Sequence, residues 1–232
     1  MIARLLAAAV MASAVPAFGQ APEIVRDMAG NWQVLPVDGR PGCTIMLTAK
    51  SAGAESWAAK PEASCATRLP ALKNVNAWRL QDGVALLAGP ARVALSFIED
   101  ETTLLSSPDL IAPKYYMIRA IAGFTHVPQA GELAGEWTIT QGRTACSIRL
   151  QGGAIGQSGT RVAKPAPACT GTARKLDHWW FEGLTLLIGG PDDRLVQFHP
   201  TGDTRFAGES TGPNGAPIAR WSLTRPVRAK GS

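Results

Sequence analysis

The chain has 232 residues, a length that fits one or two domains. Its formal net charge is +5, but the Lys and Arg residues are scattered and form no basic run. Because nucleic-acid-binding proteins concentrate basic residues on one face or in one stretch, we expect no nucleic-acid partner.

The first 19 residues have the features of a secretory signal peptide. Arg4 supplies a short positive region, and the apolar run from Leu5 to Ala14 is too short for a permanent membrane helix. Ala17 and Gly19 provide small residues three and one positions before the expected cut, so the mature chain begins near Gln20. An uncleaved N-terminal membrane anchor is the alternative. With cleavage, we expect an exported protein without stable membrane insertion.

Residues 20–27 form a short lead-in before the first domain. Pro22 favours an extended conformation for the residue before it, Ala21. After removal of the signal peptide, this segment has a free end.

The rest of the chain contains one unit used twice. Residues 28–47 and 133–150 each begin with an Ala-Gly turn closed by a tryptophan, and each then runs to a cysteine. The two tryptophans, Trp32 and Trp137, are 105 positions apart. Because fixed-period self-similarity indicates repeated structural units, we predict two domains of about 100 residues. The predicted domains are residues 28–120 and 133–228, joined by a linker at 121–132.

Each unit contains two cysteines, spaced 22 residues apart in the first unit and 23 in the second. Because an oxidising compartment favours disulfides, we predict the bonds Cys43–Cys65 and Cys146–Cys169. A zinc site is the weaker alternative, since two thiols per unit do not fill a tetrahedral coordination sphere. We therefore expect neither a metal nor a cofactor.

Short strands separated by Gly- and Pro-rich turns are predicted through both units. In the first unit, strands at 32–35 and 43–48 precede an Ala-, Ser- and Gly-rich stretch at 49–64, which is predicted to be a loop. A hairpin follows with Asp82-Gly83 in its turn, and Glu182-Gly183 takes that place in the second unit. Short strands at intervals of about 8–12 residues, with Gly and Pro in the turns between them, favour an antiparallel sandwich or barrel. An eight-stranded barrel is preferred, because closure removes edge strands.

Five tryptophans lie at predicted strand positions, where packing in the core or at a barrel end is the main interpretation. A ligand-lined barrel mouth, as in small carrier barrels, is the alternative. The five are Trp32, Trp78, Trp137, Trp180 and Trp221.

Catalytic chemistry has little support in the sequence. The histidines His126, His178 and His199 are expected on the surface or at strand ends, and no H-E-x-x-H motif occurs. Residues 208–212 fit G-x-S-x-G, but a Pro- and Gly-rich stretch follows where that motif needs a helix. No histidine follows Ser210 to complete a triad in that order. We therefore expect no catalytic residue and no enzyme.

The ordered set of features in each unit resembles the alkaline metalloprotease inhibitor family of Gram-negative bacteria. These are periplasmic inhibitors of serralysin-type zinc proteases. The resemblance implies an all-β fold of two tandem eight-stranded antiparallel β-barrels, lipocalin-like in shape, each with one disulfide. Family members are usually single barrels, whereas this chain has two. The segments that carry the resemblance are 133–137 (LAGEW), 146–150 (CSIRL), 77–80 (AWRL) and 85–87 (ALL).

The resemblance also implies a mechanism. In the family, an N-terminal trunk extends from the barrel into the protease cleft and places its terminal residues at the catalytic zinc. By this resemblance, residues 20–27 of this sequence correspond to the trunk. An extended segment of this kind can pair with an edge strand of the enzyme. The equivalent segment of the second unit, 123–132, is tethered, so only the first unit is expected to insert. The candidate protease-binding residues are Gln20, Ala21, Pro22, Glu23 and Ile24.

A second hypothesis is a periplasmic binding or scaffold module that has the same duplicated barrel but does not inhibit a protease. The trunk separates the two hypotheses, because its removal abolishes activity only in an inhibitor.

Overall fold

The computed structural model describes residues 21–89, 92–99, 104–155, 159–191, 193–211 and 217–226. Within these residues the chain forms two closed antiparallel β-barrels in tandem, each with one disulfide. The predicted fold class is therefore confirmed.

Each barrel is built from eight consecutive strands, each paired with its neighbours in the sequence. The first barrel comprises β1 (Gly30–Pro36), β2 (Cys43–Gly53), β3 (Ser56–Pro61), β4 (Ala77–Leu80), β5 (Val84–Leu87), β6 (Val93–Glu99), β7 (Leu105–Ser106) and β8 (Tyr115–Arg119). The second comprises β9 (Gly135–Gln141), β10 (Thr144–Ala154), β11 (Arg161–Pro165), β12 (His178–Glu182), β13 (Thr185–Gly190), β14 (Arg194–Gly202), β15 (Arg205–Thr211) and β16 (Pro217–Thr224). The helices are α1 (Glu23–Met28), α2 (Cys65–Arg68) and α3 (Ala130–Leu133), with 3₁₀ turns at Pro70–Leu72 and Ala173–Lys175.

Each barrel closes where its first strand pairs with its last. In the first barrel Trp32 of β1 lies opposite Arg119 of β8, and in the second Thr138 of β9 lies opposite Thr224 of β16. Each barrel encloses its own cluster of buried apolar side chains, and the two clusters share no residue. The repeat in the sequence is therefore a repeat of complete, separately packed units.

The prediction of a loop at residues 49–64 is wrong for most of these residues. β2 continues to Gly53 and turns into β3, with Leu47 opposite Ala59 and Ser51 opposite Trp57. Ala, Ser and Gly have low strand propensity, but a closed barrel gives β3 a hydrogen-bonded partner on both sides. Tertiary pairing therefore overrides the local preference.

The predicted hairpin of the first unit is confirmed. Leu80 lies opposite Val84 across a turn that contains Asp82 and Gly83, both with positive φ. Gly83 has φ +138°, and a Cβ there would lie 2.1 Å from the backbone oxygen of Phe97. This turn therefore requires glycine.

The tryptophans pack mainly in the barrel interiors, as the main interpretation predicts. Trp32, Trp78, Trp137 and Trp221 are buried. In β12 the core residue is Trp179 rather than Trp180, because successive strand side chains point to opposite faces. Trp180 is half-buried on the outer face, where its ring stacks on His178 with the centroids 5.8 Å apart.

Both predicted disulfides are present, with Cα–Cα distances of 5.3 Å. Replacing both Cys146 and Cys169 with Ala is expected to lower the unfolding free energy of the second barrel by about 3 kcal/mol, because the open chain gains entropy when unfolded. The same double replacement of Cys43 and Cys65 acts on the first barrel. Denaturant unfolding followed by tryptophan fluorescence measures both effects. A change below about 0.5 kcal/mol would contradict the expectation.

Candidate functional site

The residues that the sequence identifies as protease-binding lie where the chain reaches the first barrel. Ala21 is half-buried against the barrel core, whereas Pro22, Glu23 and Ile24 are exposed. Ile24 is 56% accessible, which is unusual exposure for an apolar side chain of this size. Gln20 lies outside the described residues. The other four therefore lie beside the core of the first barrel, three of them exposed.

The expectation of an extended segment over residues 20–27 is wrong, because Glu23–Met28 form the helix α1. Pro22 has an extended backbone, with φ −50° and ψ 150°, and its carbonyl accepts hydrogen bonds from the N–H groups of Val25 and Arg26. Val25 is fully buried in the barrel core. Folding as a helix therefore removes an apolar side chain from water and packs it in the barrel core.

An arginine and a tryptophan fix α1 on the first barrel. Trp32 Nε1 donates a hydrogen bond to the Met28 carbonyl at 2.8 Å. The Arg119 guanidinium lies 4.3 Å from the centroid of the Trp32 ring and donates to the carbonyls of Ala29, at 2.9 Å, and Asp27. A cation is stabilised both over an aromatic face and beside the C-terminal carbonyls of a helix. This contact therefore ties the end of α1 to the closing strands.

The second unit repeats this arrangement around α3. Trp137 Nε1 donates to the Leu133 carbonyl at 2.7 Å, and the Arg225 guanidinium lies 4.7 Å from the Trp137 ring centroid. Arg225 also donates to the carbonyls of Ala134, at 3.0 Å, and Glu132. All five residues follow their counterparts by 105 or 106 positions. Each barrel thus has the same Arg–Trp clamp on the helix that precedes it.

The two clamps are structural features of the candidate site that sequence reasoning missed. A signal was available, since Arg119 follows Trp32 by 87 positions and Arg225 follows Trp137 by 88. This equal spacing from Trp to Arg indicates a contact only when it is known that the first and last strands of the barrel pair and place the two residues side by side.

One carboxylate on the outer face of the second barrel has a lowered pKa. Glu136 accepts hydrogen bonds from Ser147 Oγ at 2.7 Å and Arg149 Nε at 2.5 Å, and these stabilise the charged form and lower the pKa. Any stability it contributes is present above the carboxyl's unfolded-state pKa and is lost as the pH falls through its folded-state pKa. Because the group is solvent-exposed, that contribution is small.

A groove of about 650 Å³ lies between the two barrels. Arg119 lines it from the first unit, so the groove adjoins the clamp on α1. Leu184 and Leu187 contribute apolar surface from the second unit, and Glu182 and His199 contribute polar groups. The groove therefore offers a mixed surface made by both units.

The described residues do not assemble a catalytic site. Ser210 lies in β15, and its hydroxyl accepts a hydrogen bond from Trp221 Nε1 at 3.1 Å, while Gly212 of the motif lies outside the described residues. His126 contacts carboxylates of Glu132 and Asp203, at 3.2 and 3.7 Å.

Within the described ranges, no three His, Cys, Asp or Glu side chains form a group suited to a metal ion. No helix there is long and apolar enough to cross a bilayer.

Comparison with known protein families gives a match in each barrel. The family described as Protease inhibitor Inh matches residues 24–99 and 127–220, which together are more than half of the chain. The protein therefore belongs to this family, as the sequence resemblance indicates. Family membership supports a protease as the partner and a role as an inhibitor rather than an enzyme.

Two further comparisons add little. No curated protein matches the chain significantly. Among solved structures, a protein of unknown function from the DUF3598 family of Nostoc punctiforme is 8% identical and has a TM-score of 0.27. The match covers 84% of this chain and 93% of that one. A TM-score this low carries no argument about fold or function.

Proposed function

We propose that the protein is a periplasmic inhibitor of secreted, serralysin-type zinc metalloproteases, and that its N-terminal residues enter the protease active-site cleft. Membership of the Protease inhibitor Inh family supports a protease partner. The choice of a zinc protease rests on the resemblance of the two units to the alkaline metalloprotease inhibitors. The periplasmic location rests on the predicted signal peptide.

The observation that carries this proposal is the anchoring of α1. Val25 is buried beneath the helix, and Arg119 and Trp32 hold its C-terminal end. The chain ahead of the helix therefore starts from a fixed point, Pro22, on the first barrel. A segment that is held before binding loses less conformational entropy when it binds, which raises affinity.

The helix also limits which residues insert. Residues 20–22 precede α1 and form the part that reaches the catalytic zinc, through either the terminal amine or a backbone carbonyl. Glu23 and Ile24, exposed in the first turn of α1, contact the rim of the cleft. The metal belongs to the protease, and the inhibitor supplies only ligand atoms and contact surface.

The second candidate function is a periplasmic binding or scaffold module without inhibitory activity. The groove between the barrels is the observation that favours it, because a mixed apolar and polar surface of this size suits a peptide loop or a small molecule. This candidate does not require a free N-terminal segment. The two proposals are therefore separated by measuring inhibition.

The first test is a titration of the purified mature protein into a serralysin-type zinc protease, with cleavage of a peptide substrate as the readout. We expect activity to fall in proportion to added protein and to reach zero at one protein per protease. A serine protease assayed in parallel is expected to keep its activity. Absence of inhibition at high micromolar concentration would reject the serralysin-type target and leave a different protease partner or the binding module.

A further inference from the structure

We infer that the second unit is a second inhibitory unit that the first unit masks. The segment that precedes α3, residues 121–129, is held by the first barrel as the corresponding N-terminal segment of the first unit would be held by a protease. The inference rests on the proposed function, because it assigns the same kind of partner to the second unit.

The starting point is the equivalence of the two helices. The clamp of Arg225 on Trp137 and the helix end reproduces that of Arg119 on Trp32. Pro128 follows Pro22 by 106 positions, so His126-Val127 correspond to Gln20-Ala21. The second unit thus has the two features that the proposal uses in the first unit, an anchored helix and a short segment ahead of it.

The segment ahead of α3 is bound through its backbone by the first barrel. The side-chain amide of Gln33 donates to the Phe124 carbonyl at 2.6 Å and accepts from the Ile121 N–H at 3.1 Å. The Gly42 N–H donates to the Thr125 carbonyl at 2.9 Å. Hydrogen bonds to backbone groups do not depend on the sequence of the bound segment, and they are how a cleft or a sheet edge holds an extended peptide.

Apolar side chains complete this contact. Phe124 and Val127 are 1% and 3% exposed, and they form one buried cluster with Leu35 on the outer face of β1 and Leu184 of the second unit. At the start of α3, Gln129 donates from its side chain to the Val37 carbonyl at 3.0 Å. Phe124 and Val127 are therefore buried between the barrels, and the segment cannot enter a protease cleft while the units are joined in this way.

The second unit has what it needs to fold without the first. Its barrel is closed, its disulfide joins two of its own residues, and all the buried members of its apolar cluster lie between Leu133 and Leu223. Separation from the first unit uncovers mainly Phe124, Val127 and Leu184. A separate second unit therefore has a complete core and a segment ahead of an anchored helix that is no longer covered by the first barrel. Within its own unit this segment keeps the hydrogen bonds of Gly123 and Thr125 with Asp203.

The test compares three proteins against one serralysin-type zinc protease: the full chain, the second unit beginning at Gly123, and the second unit beginning at Ala130. The last protein has the same barrel but lacks the segment, so it is the matched control. We expect the Gly123 protein to inhibit with a constant within about tenfold of the full chain's, and the Ala130 protein to be inactive. Mass analysis of the disulfide and thermal unfolding establish that both are folded.

The outcomes distinguish this inference from the proposed function. A full chain that inhibits, together with a folded but inactive Gly123 protein, would overturn the inference and leave the proposed function intact. Inactivity of both would reject both.

A nicked full chain keeps the inference testable if the separate unit does not fold. For this purpose a recognition sequence for a site-specific protease is inserted after Ala122, in an exposed turn. The same chain carries Gln33→Ala, which removes two hydrogen bonds to the segment, and Thr138→Ala at the equivalent position of β9 is the control. Cleavage is expected to raise the number of protease molecules neutralised per chain from one to two in the Gln33→Ala protein. A number that stays at one after the units separate on gel filtration would overturn the inference.

Discussion

A mature chain that begins at Glu23 is expected to lose inhibition of a serralysin-type protease by at least about 100-fold, in line with the loss of a central interface contact. The deletion removes only the residues ahead of α1, which are the ones proposed to reach the catalytic zinc. Val25 and the Arg119 clamp stay in place, so both barrels are expected to remain folded. Inhibition constants measured with a peptide substrate, together with thermal unfolding, check the two halves of this expectation.

Because α1 contributes a core residue, a deletion that ends before the helix is easier to interpret than removal of the whole predicted trunk. A chain lacking residues 20–27 would also lose Val25, a core residue, so a loss of inhibition could reflect damage to the barrel. The Glu23 start avoids that ambiguity. Equal inhibition by the deleted and complete chains would reject insertion of the N-terminal segment.

The features that local sequence pattern decides could be predicted. The cysteine pairing follows from two cysteines at nearly equal spacing in each unit, and both bonds are present. The hairpin at Asp82-Gly83 follows from a turn that requires positive φ. The barrel class follows from short strands in a chain with no long helical period. In each case the information lies within a few residues or in a repeat.

The features that depend on distant residues could not be predicted in the same way. β3 has Ala and Ser where a strand usually has branched residues, and it is ordered by pairing with β2 and β4. α1 has six residues, too few for a helical period to stand out, and its stability comes from burying Val25. The groove between the barrels depends on how the two units pack, which no local pattern records. The helical conformation of residues 23–28 was therefore not predicted, and the assignment of the site to the N-terminal segment stays a prediction.

Replacing Arg119 with Ala is expected to weaken inhibition by about tenfold, whereas Arg225→Ala is expected to leave it unchanged. Each substitution removes one cation–π contact and the hydrogen bonds to two carbonyls at a helix end. The cost in unfolding free energy is therefore expected to be similar for the two proteins, about 1–2 kcal/mol. Only Arg119, however, fixes the helix from which the inserting residues leave.

Arg119 is thus a positioning residue, and the duplication provides its control within the same chain. A merely structural role predicts equal effects of Arg119→Ala and Arg225→Ala on inhibition as well as on stability, and that result would contradict the assignment. Arg119→Lys separates charge from geometry, because lysine keeps the cation but lacks the planar fork that reaches two carbonyls at once. We expect this variant to recover part of the lost inhibition through the ring of Trp32 and one carbonyl. Inhibition that rises in step with the protection of the Val25 and Ala29 amides from hydrogen exchange would tie affinity to the order of α1. Those amides are hydrogen-bonded within the segment that Arg119 holds.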